Sequence, residues 1–234
     1  LIERAQSKGT SMSGYVTIGA GYDTNVNSGT AESQVAIPFL NTNLLFQLVD
    51  QAREQNNAYA LVAAGGNIAH PLNETFSLVG GARGYYRGTE SPFSTRDIYL
   101  FGGVSAKVEK HEFTVAAQGE HFEVDSDTLR YVYGGFGQWA FAYDNRTQLS
   151  LALQISQIDY QAVPNRDVMR YVGSFGLVHA IGGKREPLIY AGLYGGTEDV
   201  DRARFQQFGH DLVGGRLGGS LELLPRLRGY ASVS

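Results

Sequence analysis

Histidine and carboxylate side chains are the groups in this chain most suited to acid–base chemistry. The five histidines are widely spaced, at His70, His111, His121, His179 and His210. His111 and His121 share a predicted strand with Glu120, and Asp125 follows it, so an aspartate–histidine pair could in principle act as a general base. However, His111 and Asp125 belong to opposite ends of that strand, and no activated nucleophile accompanies them. We therefore predict no catalytic residues and no enzymatic activity.

A second pattern could bind a cation. The stretch from Asp23 to Gly29 carries side-chain oxygens at alternate positions, in Asp23, Asn25 and Asn27, as at the start of a calcium loop. The glycine comes one position late and no glutamate completes the ligand set. The turn-forming tendency of Asn, Asp and Gly accounts for the same residues. We predict no metal site, and no cofactor.

The elements that position these residues are predicted to be β-strands. Around residues 147–159, apolar and polar side chains alternate: Leu149, Leu151, Leu153 and Ile155 against Gln148, Ser150, Ala152, Gln154 and Ser156. A period of two places successive side chains on opposite faces of a strand. The pattern recurs about ten times with no helix between the repeats. We predict strands at about 13–22, 57–69, 74–87, 96–109, 112–124, 129–142, 147–159, 168–181, 187–197 and 207–223, with another opening at about 227.

Strand length and loop length both favour a membrane barrel. The predicted strands mostly have about 11–16 residues, whereas strands of soluble proteins average about 5–6 and a tilted membrane strand needs about 9–11. Short connections, at 70–73, 109–111, 143–146, 182–186 and 224–226, alternate with longer ones at 23–56, 88–95, 160–167 and 198–206; 125–128 is the exception. This alternation is typical of up-and-down outer-membrane barrels, whose short turns are periplasmic.

Composition excludes several classes of protein. Net charge is −4 and the isoelectric point about 5.7, which argues against nucleic acid as a partner. Mean hydropathy is −0.19, and no run of about 18 apolar residues exists to form a membrane helix. The chain has 30 Gly, 14 Tyr and no Cys. Glycine suits curved barrel walls, and tyrosine suits the aromatic girdles at membrane interfaces.

The predicted domain division is residues 1–12 as the end of an upstream helical repeat domain or linker, and 13–234 as an outer-membrane β-barrel. We expect this barrel to be incomplete at its C-terminal end; a ten-stranded barrel with a tail is the alternative. Alternation at Leu44, Phe46 and Leu48 suggests a strand extension beyond the membrane. Candidate girdle residues are Tyr85, Tyr86, Tyr99, Phe101, Tyr131, Tyr133, Trp139, Phe141 and Tyr143.

If the apolar side faces lipid, the opposite side faces the lumen. It collects charges of both signs together with amides: Arg83, Arg87, Lys107, Glu109, Gln118, Glu120, Gln138, Gln148, Gln154, Arg170, Arg216 and Glu222. A polar lumen suits a hydrated channel. Because the signs are interspersed, no ring of one charge predicts ion selectivity. The same residues could instead pair across the lumen as structural charge ladders.

The segment from Gly14 to Asn27, Gly-Tyr-Val-Thr-Ile-Gly-Ala-Gly-Tyr-Asp-Thr-Asn-Val-Asn, resembles the opening of the barrel in the surface lipoprotein assembly modifier family. That family has a Gly-Tyr-Asp-Ser-Asn-Val-Asn signature, in which Thr24 here replaces the serine. The resemblance implies a 14-stranded outer-membrane translocon that follows periplasmic tetratricopeptide repeats. The matching residues are Gly21, Tyr22, Asp23, Asn25 and Asn27, which we expect to fix the exit from strand to loop.

The resulting expectation is a translocon that helps surface lipoproteins or secreted proteins across the bacterial outer membrane. The alternatives are a polysaccharide export porin, also linked to tetratricopeptide repeats, and a passive porin. Aromatic and acidic side chains on the inward register (Tyr99, Phe101, Phe136 and Glu120) keep the polysaccharide alternative open. The expected partners are outer-membrane lipids, a protein client and the barrel-assembly machinery.

Overall fold

The computed structural model describes residues 9–27, 34–39, 42–47, 53–90, 93–162, 166–183, 185–200, 209–224 and 227–233. Within these ranges the protein is all-β, as predicted, and contains no α-helix. None of the described segments forms a helix long and apolar enough to span a membrane. Residues 1–8 of the segment predicted as a helical end or linker (1–12) lie outside the described residues, and the first strand begins at Ser11, two residues before the start of the predicted barrel domain.

The described residues form thirteen strands, which follow one another along the chain. They are β1 (Ser11–Asp23), β2 (Gln34–Phe39), β3 (Thr42–Gln47), β4 (Asn57–Pro71), β5 (Phe76–Thr89), β6 (Thr95–Val108), β7 (His111–Val124), β8 (Asp127–Ala142), β9 (Thr147–Tyr160), β10 (Val168–Ala180), β11 (Leu188–Val200), β12 (His210–Leu224) and β13 (Leu227–Val233). The main strands agree with the predicted ranges to within three residues. Their lengths, up to 16 residues in β8, are well above the soluble average.

Eleven of these strands form one antiparallel up-and-down sheet, in the order β1-β4-β5-β6-β7-β8-β9-β10-β11-β12-β13. β2 and β3 form a separate hairpin. The predicted strand near Leu44 and Phe46 is therefore real, but β3 pairs with β2 and does not extend the main sheet. In the described residues β1 and β13 each have one neighbour, so this sheet is open.

Tight turns join the strands along one side of the sheet, where every second connection lies. We call this row of strand ends the turn edge, and the row formed by the opposite strand ends the loop edge. At the turn edge, the Asp144 carboxylate accepts the backbone N–H groups of Arg146 and Thr147, each at 2.7 Å. These hydrogen bonds, first that from Arg146, lower the pKa of Asp144. At the loop edge, the connection at 125–128 shrinks to the two-residue turn Asp125-Ser126, in which both residues have positive φ.

The register shows how strongly the strands tilt. A row of directly paired residues starts at Met12, beside the turn edge, and reaches Asp211, beside the loop edge. The row is Met12, Ile68, Gly80, Gly102, Ala117, Gly135, Ile155, Tyr171, Thr197 and Asp211. This climb of about 12 residues over nine pairings corresponds to a tilt of roughly 40°, for a rise of ~3.4 Å per residue and a strand spacing of ~4.8 Å.

The two faces of the sheet differ sharply. Among the described residues, only four hydrophobic residues are buried, whereas more than thirty large apolar side chains are exposed. Because directly paired residues share a face, the register assigns most of these exposed side chains to one side, which we call the apolar face. Its members include Val16, Ile18, Val62, Ile68, Leu78, Leu100, Val104, Val115, Leu151, Leu153, Ile155, Phe175, Leu193, Val213 and Leu217.

Charged residues on the apolar face occur only at its loop edge. Among the described strand residues of this face they are Arg96, Glu123, Asp159, Asp199 and Asp211. Each is the second residue from the loop end of its strand. The apolar face is thus a band without charge, bounded on one side by a charged rim.

Aromatic side chains border the same band. Near the turn edge, His111 stacks on Phe141 with 4.9 Å between ring centroids, and Trp139 Nε1 donates a hydrogen bond to His111 Nδ1 at 3.1 Å. Tyr86, Tyr131 and Tyr133 lie on this face toward the loop edge. Three predicted girdle residues were wrong, because the register places them on the opposite face: Tyr85, Tyr99 and Phe101.

Candidate functional site

The face opposite the apolar band, which we call the polar face, carries most of the polar residues singled out from the sequence. The register assigns to it Arg83, Arg87, Lys107, Gln118, Glu120, Gln138, Gln148, Gln154, Arg170, Arg216 and Glu222. Glu109 is the exception. It lies in the turn after β6, with φ of 52°, and so belongs to neither face.

Charges on the polar face are nearly balanced and mostly paired. Arg83 lies 3.6 Å from Asp97, and Arg130 lies 3.0 Å from Glu120. Arg170 pairs with Glu198, which is 5% exposed. Each pair links two neighbouring strands of the sheet, whereas the alternative given above has the charges pair across the lumen. Sequence reasoning missed Asp97, Arg130 and Glu198, because a partner on the next strand is recognisable only once the register is known.

At the loop edge, one ion pair reaches across an intervening strand. Arg87 on β5 donates to Asp23 on β1 at 2.6 Å, passing over the ring of Tyr59 on β4 at 4.1 Å from its centroid. Tyr59 can lie flat because its partner on β1 is Gly21. A Cβ at Gly21 would come within 2.5 Å of the Tyr59 hydroxyl. Two signature residues, Gly21 and Asp23, therefore support one layered contact, whereas Tyr22 points to the apolar face.

The remaining signature residues tie the exit of β1 to the segment that enters β4. The Asn25 N–H donates to Asp23 Oδ1 at 2.9 Å. Asn27 Nδ2 donates to the Arg53 carbonyl at 2.6 Å, and its Oδ1 accepts the Gln55 N–H at 2.9 Å. The side chain of Asn27 thus pairs with the returning backbone as a strand neighbour would.

We expect Asn27→Ala to loosen this exit without unfolding the sheet. Loss of two side-chain hydrogen bonds at an exposed site costs about 1 kcal/mol, which corresponds to roughly fivefold faster amide hydrogen exchange at Gln55. Asn27→Asp is the control, since it keeps the oxygen that accepts the Gln55 N–H. Equal exchange at Gln55 in wild type and Asn27→Ala would show that the side chain does not hold this segment.

The same geometry argues against the calcium alternative. Both carboxylate oxygens of Asp23 are already used, one by the Asn25 N–H and the other by Arg87. A guanidinium at 2.6 Å occupies the place that a cation would take. Among the described residues, no group of three His, Cys, Asp or Glu side chains is placed to hold a metal ion. His111 and His121 lie on the apolar face, away from Glu120.

A second bridge crosses a strand in the middle of the polar face. Gln118 on β7 donates through Nε2 to Ser156 Oγ on β9 at 3.1 Å, and accepts the Tyr99 hydroxyl at 3.1 Å. The residue of β8 between them is Gly134, which pairs with both Gln118 and Ser156. Any side chain there would block the bridge. Gln118 was expected from the sequence, whereas Ser156 and Gly134 gave no individual signal.

Glycines opposite aromatic residues recur over this face. A Cβ would come closer than 3.0 Å to the ring of the directly paired residue in five cases: Gly21–Tyr59, Gly65–Tyr15, Gly81–Phe101, Gly214–Tyr194 and Gly218–Tyr190. Each ring therefore lies across a glycine of the next strand. The sheet therefore stays thin on its polar face, and these glycine–aromatic pairs account for part of the high glycine and tyrosine content.

Chemically, the polar face offers paired charges, amides, hydroxyl groups and flat aromatic rings, but no described group activated as a nucleophile. Such a surface can bind or conduct hydrated molecules. Comparison with protein-family models, with curated proteins and with solved structures finds no match to this chain.

Proposed function

We propose that this chain forms the wall of a transmembrane β-barrel in a bacterial outer membrane, with its polar face toward a hydrated interior. The observation that carries the proposal is the separation of the two faces over eleven strands. An apolar face that extends over eleven strands is typical of a surface covered by a membrane or by another protein. The charge-free band, the aromatic borders and a strand tilt of roughly 40° all match a lipid-facing barrel surface, whose strands tilt by ~35–45°.

The open sheet needs further pairing to complete such a wall. β1 and β13 both run from the turn edge to the loop edge, because eleven strands alternate in direction between them. Direct pairing of β1 with β13 would be parallel, whereas up-and-down barrels of this class close with an even number of antiparallel strands. We propose that additional strands complete the wall. The 14 strands implied by the family resemblance satisfy this parity.

For the cargo, we propose that the barrel helps surface lipoproteins or secreted proteins across the outer membrane. Support comes from the signature between Gly21 and Asn27, whose resemblance to surface lipoprotein assembly modifiers is described above. In the structure, two residues of this signature make hydrogen bonds at the loop edge, Asp23 with Arg87 and Asn27 with Gln55. On the same proposal, barrel-assembly machinery inserts the protein, and lipids cover the apolar face.

Surface labelling of intact cells tests the cargo proposal. Deletion of the gene should remove one or a few lipoproteins or secreted proteins from the cell surface while they persist inside the cell. Restoring the wild-type gene should return them, and this excludes a polar effect on neighbouring genes. An unchanged surface proteome would reject protein translocation and favour polysaccharide export or passive conduction.

A further inference from the structure

A cavity of about 390 Å³ opens on the polar face, lined by residues of the six strands from β5 to β10. Its lining combines two aromatic rings with amides, hydroxyl groups and charged side chains: Arg83, Tyr99, Gln118, Glu120, Phe136, Gln154, Ser156, Arg170 and Ser174 among others. None of these residues belongs to the signature between Gly21 and Asn27. The cavity is therefore a separate feature of the wall, and its chemistry can be considered by itself.

The aromatic side of the cavity is a contiguous series of rings. Tyr99 and Phe101 have centroids 6.1 Å apart, and Phe101 meets Phe136 edge-on at 5.9 Å. All three are only partly buried, on a face where most other side chains are polar or small. Partly exposed rings on a hydrated wall leave apolar surface that a ligand with its own apolar face can cover.

The polar side of the cavity is a set of neutral hydrogen-bonding groups. Gln118 is 9% exposed, and its hydrogen bonds with Tyr99 and Ser156 fix the orientation of its amide at the base of the cavity. Gln154 lies directly opposite Phe136 across the β8–β9 pairing. The Gln154 amide can therefore exchange hydrogen bonds with the edge of a ligand that stacks on the Phe136 ring.

Charges around the cavity are already compensated by protein partners. Glu120 pairs with Arg130, Arg83 with Asp97, and Arg170 with Glu198. A charged ligand would have to compete with these contacts, whereas a neutral one leaves them in place. The cavity therefore favours a ligand that is uncharged, rich in hydroxyl groups and apolar on one face.

We propose that this cavity binds a segment of an uncharged oligosaccharide. A pyranose ring has a face of C–H groups, which can lie on Phe136, and a rim of hydroxyl groups, which can reach the Gln154 amide. The inference does not depend on a protein cargo. A glycan held at the wall is compatible with protein translocation, and it is required if the barrel exports polysaccharide.

Equilibrium dialysis of the full-length protein against radiolabelled maltohexaose and cellohexaose tests the proposal. The detergent should be lauryldimethylamine oxide, because a maltoside head group would compete for the site. We expect saturable binding of at least one hexasaccharide, weakened tenfold or more by Phe136→Ala and severalfold by Gln154→Ala. Phe136→Tyr keeps the ring and should bind like wild type.

Phe113→Ala is the matched control, since Phe113 lies on the apolar face and should leave binding unchanged. Far-ultraviolet circular dichroism should confirm that each variant is folded. Absence of saturable binding of both hexasaccharides to the wild type would overturn the proposal, and so would equal binding by folded Phe136→Ala and Gln154→Ala. An unchanged surface proteome in the deletion strain rejects only the protein cargo, so the two failures are distinguishable.

Discussion

Leu151→Arg should destabilise the protein in lipid vesicles by about 1–2 kcal/mol, because the guanidinium would enter the hydrocarbon layer beside the aromatic border at Trp139, the residue of β8 that pairs with Leu151. Leu151 lies on the apolar face of β9 and is 44% exposed. It stands four residues inside the turn end of its strand, well away from the charged rim. The measurement is urea-induced unfolding of the full-length protein in phospholipid vesicles.

Ser150→Arg is the matched control for this prediction. Ser150 is the preceding residue and faces the polar side, where Ala140 and Gly176 are its directly paired neighbours. These small partners leave room for a long side chain, whose charge would point to water. We expect its effect on the free energy of unfolding to stay within about 0.5 kcal/mol. Equal losses in the two variants would reject the assignment of the apolar face to lipid.

Gly103→Ala should be the most damaging methyl addition on β6, at a cost of about 2–3 kcal/mol. Gly103 lies on the polar face, where a Cβ would come 2.1 Å from the Val115 carbonyl oxygen and 2.5 Å from the Ala116 Cα. Both atoms are backbone, so relief requires the strands to separate. Gly134 and Gly196 have the same 2.1 Å approach to a carbonyl oxygen of a neighbouring strand.

The neighbouring glycine provides the control. At Gly102, on the apolar face, an added Cβ would meet nothing within 4 Å. Gly102→Ala should therefore be neutral or stabilise the protein by about 0.5 kcal/mol, because alanine restricts the unfolded chain. The free energy of unfolding in vesicles measures both variants. If Gly102→Ala lowers the free energy of unfolding as much as Gly103→Ala does, close approach of the backbones on the polar face is not the reason for glycine at position 103.

Much of the fold could be predicted from alternation alone, because side-chain parity is a local property of a strand. The ranges predicted for β9 and β10 differ from the observed strands by a single residue at one end. Parity also separated the two faces of β9 correctly, with Leu149, Leu151 and Leu153 on the face opposite to Ser150 and Gln154. The β2–β3 hairpin was only half predicted, because β2 is only six residues long and contains a proline, Pro38, which argues against a strand.

Contacts between strands could not be predicted, because they depend on register. Nothing local indicates that Gln118 reaches Ser156 across Gly134, or that Arg87 reaches Asp23 across Tyr59. The girdle errors have a different cause, because Tyr85, Tyr99 and Phe101 were grouped by their position along the strands, although alternation had already placed Tyr99 and Phe101 on the inward register. The glycine–aromatic pairs likewise appear only when two strands are aligned.

The most direct test of the central claim is a single-cysteine scan of residues 149–156 in β9, made possible by the absence of native cysteine. Spin labels at each position of the full-length protein in native outer membranes would be tested for collision with oxygen, which is enriched in lipid, and with a water-soluble nickel complex. We predict strict alternation from residue 149 to residue 155, whereas a label at Ser156, which is buried, should be shielded from nickel. Labels at Leu149, Leu151, Leu153 and Ile155 should favour oxygen, and labels at Ser150, Ala152 and Gln154 should favour nickel. Uniform accessibility, or alternation with the opposite phase, would contradict a lipid-facing apolar band and a hydrated polar face.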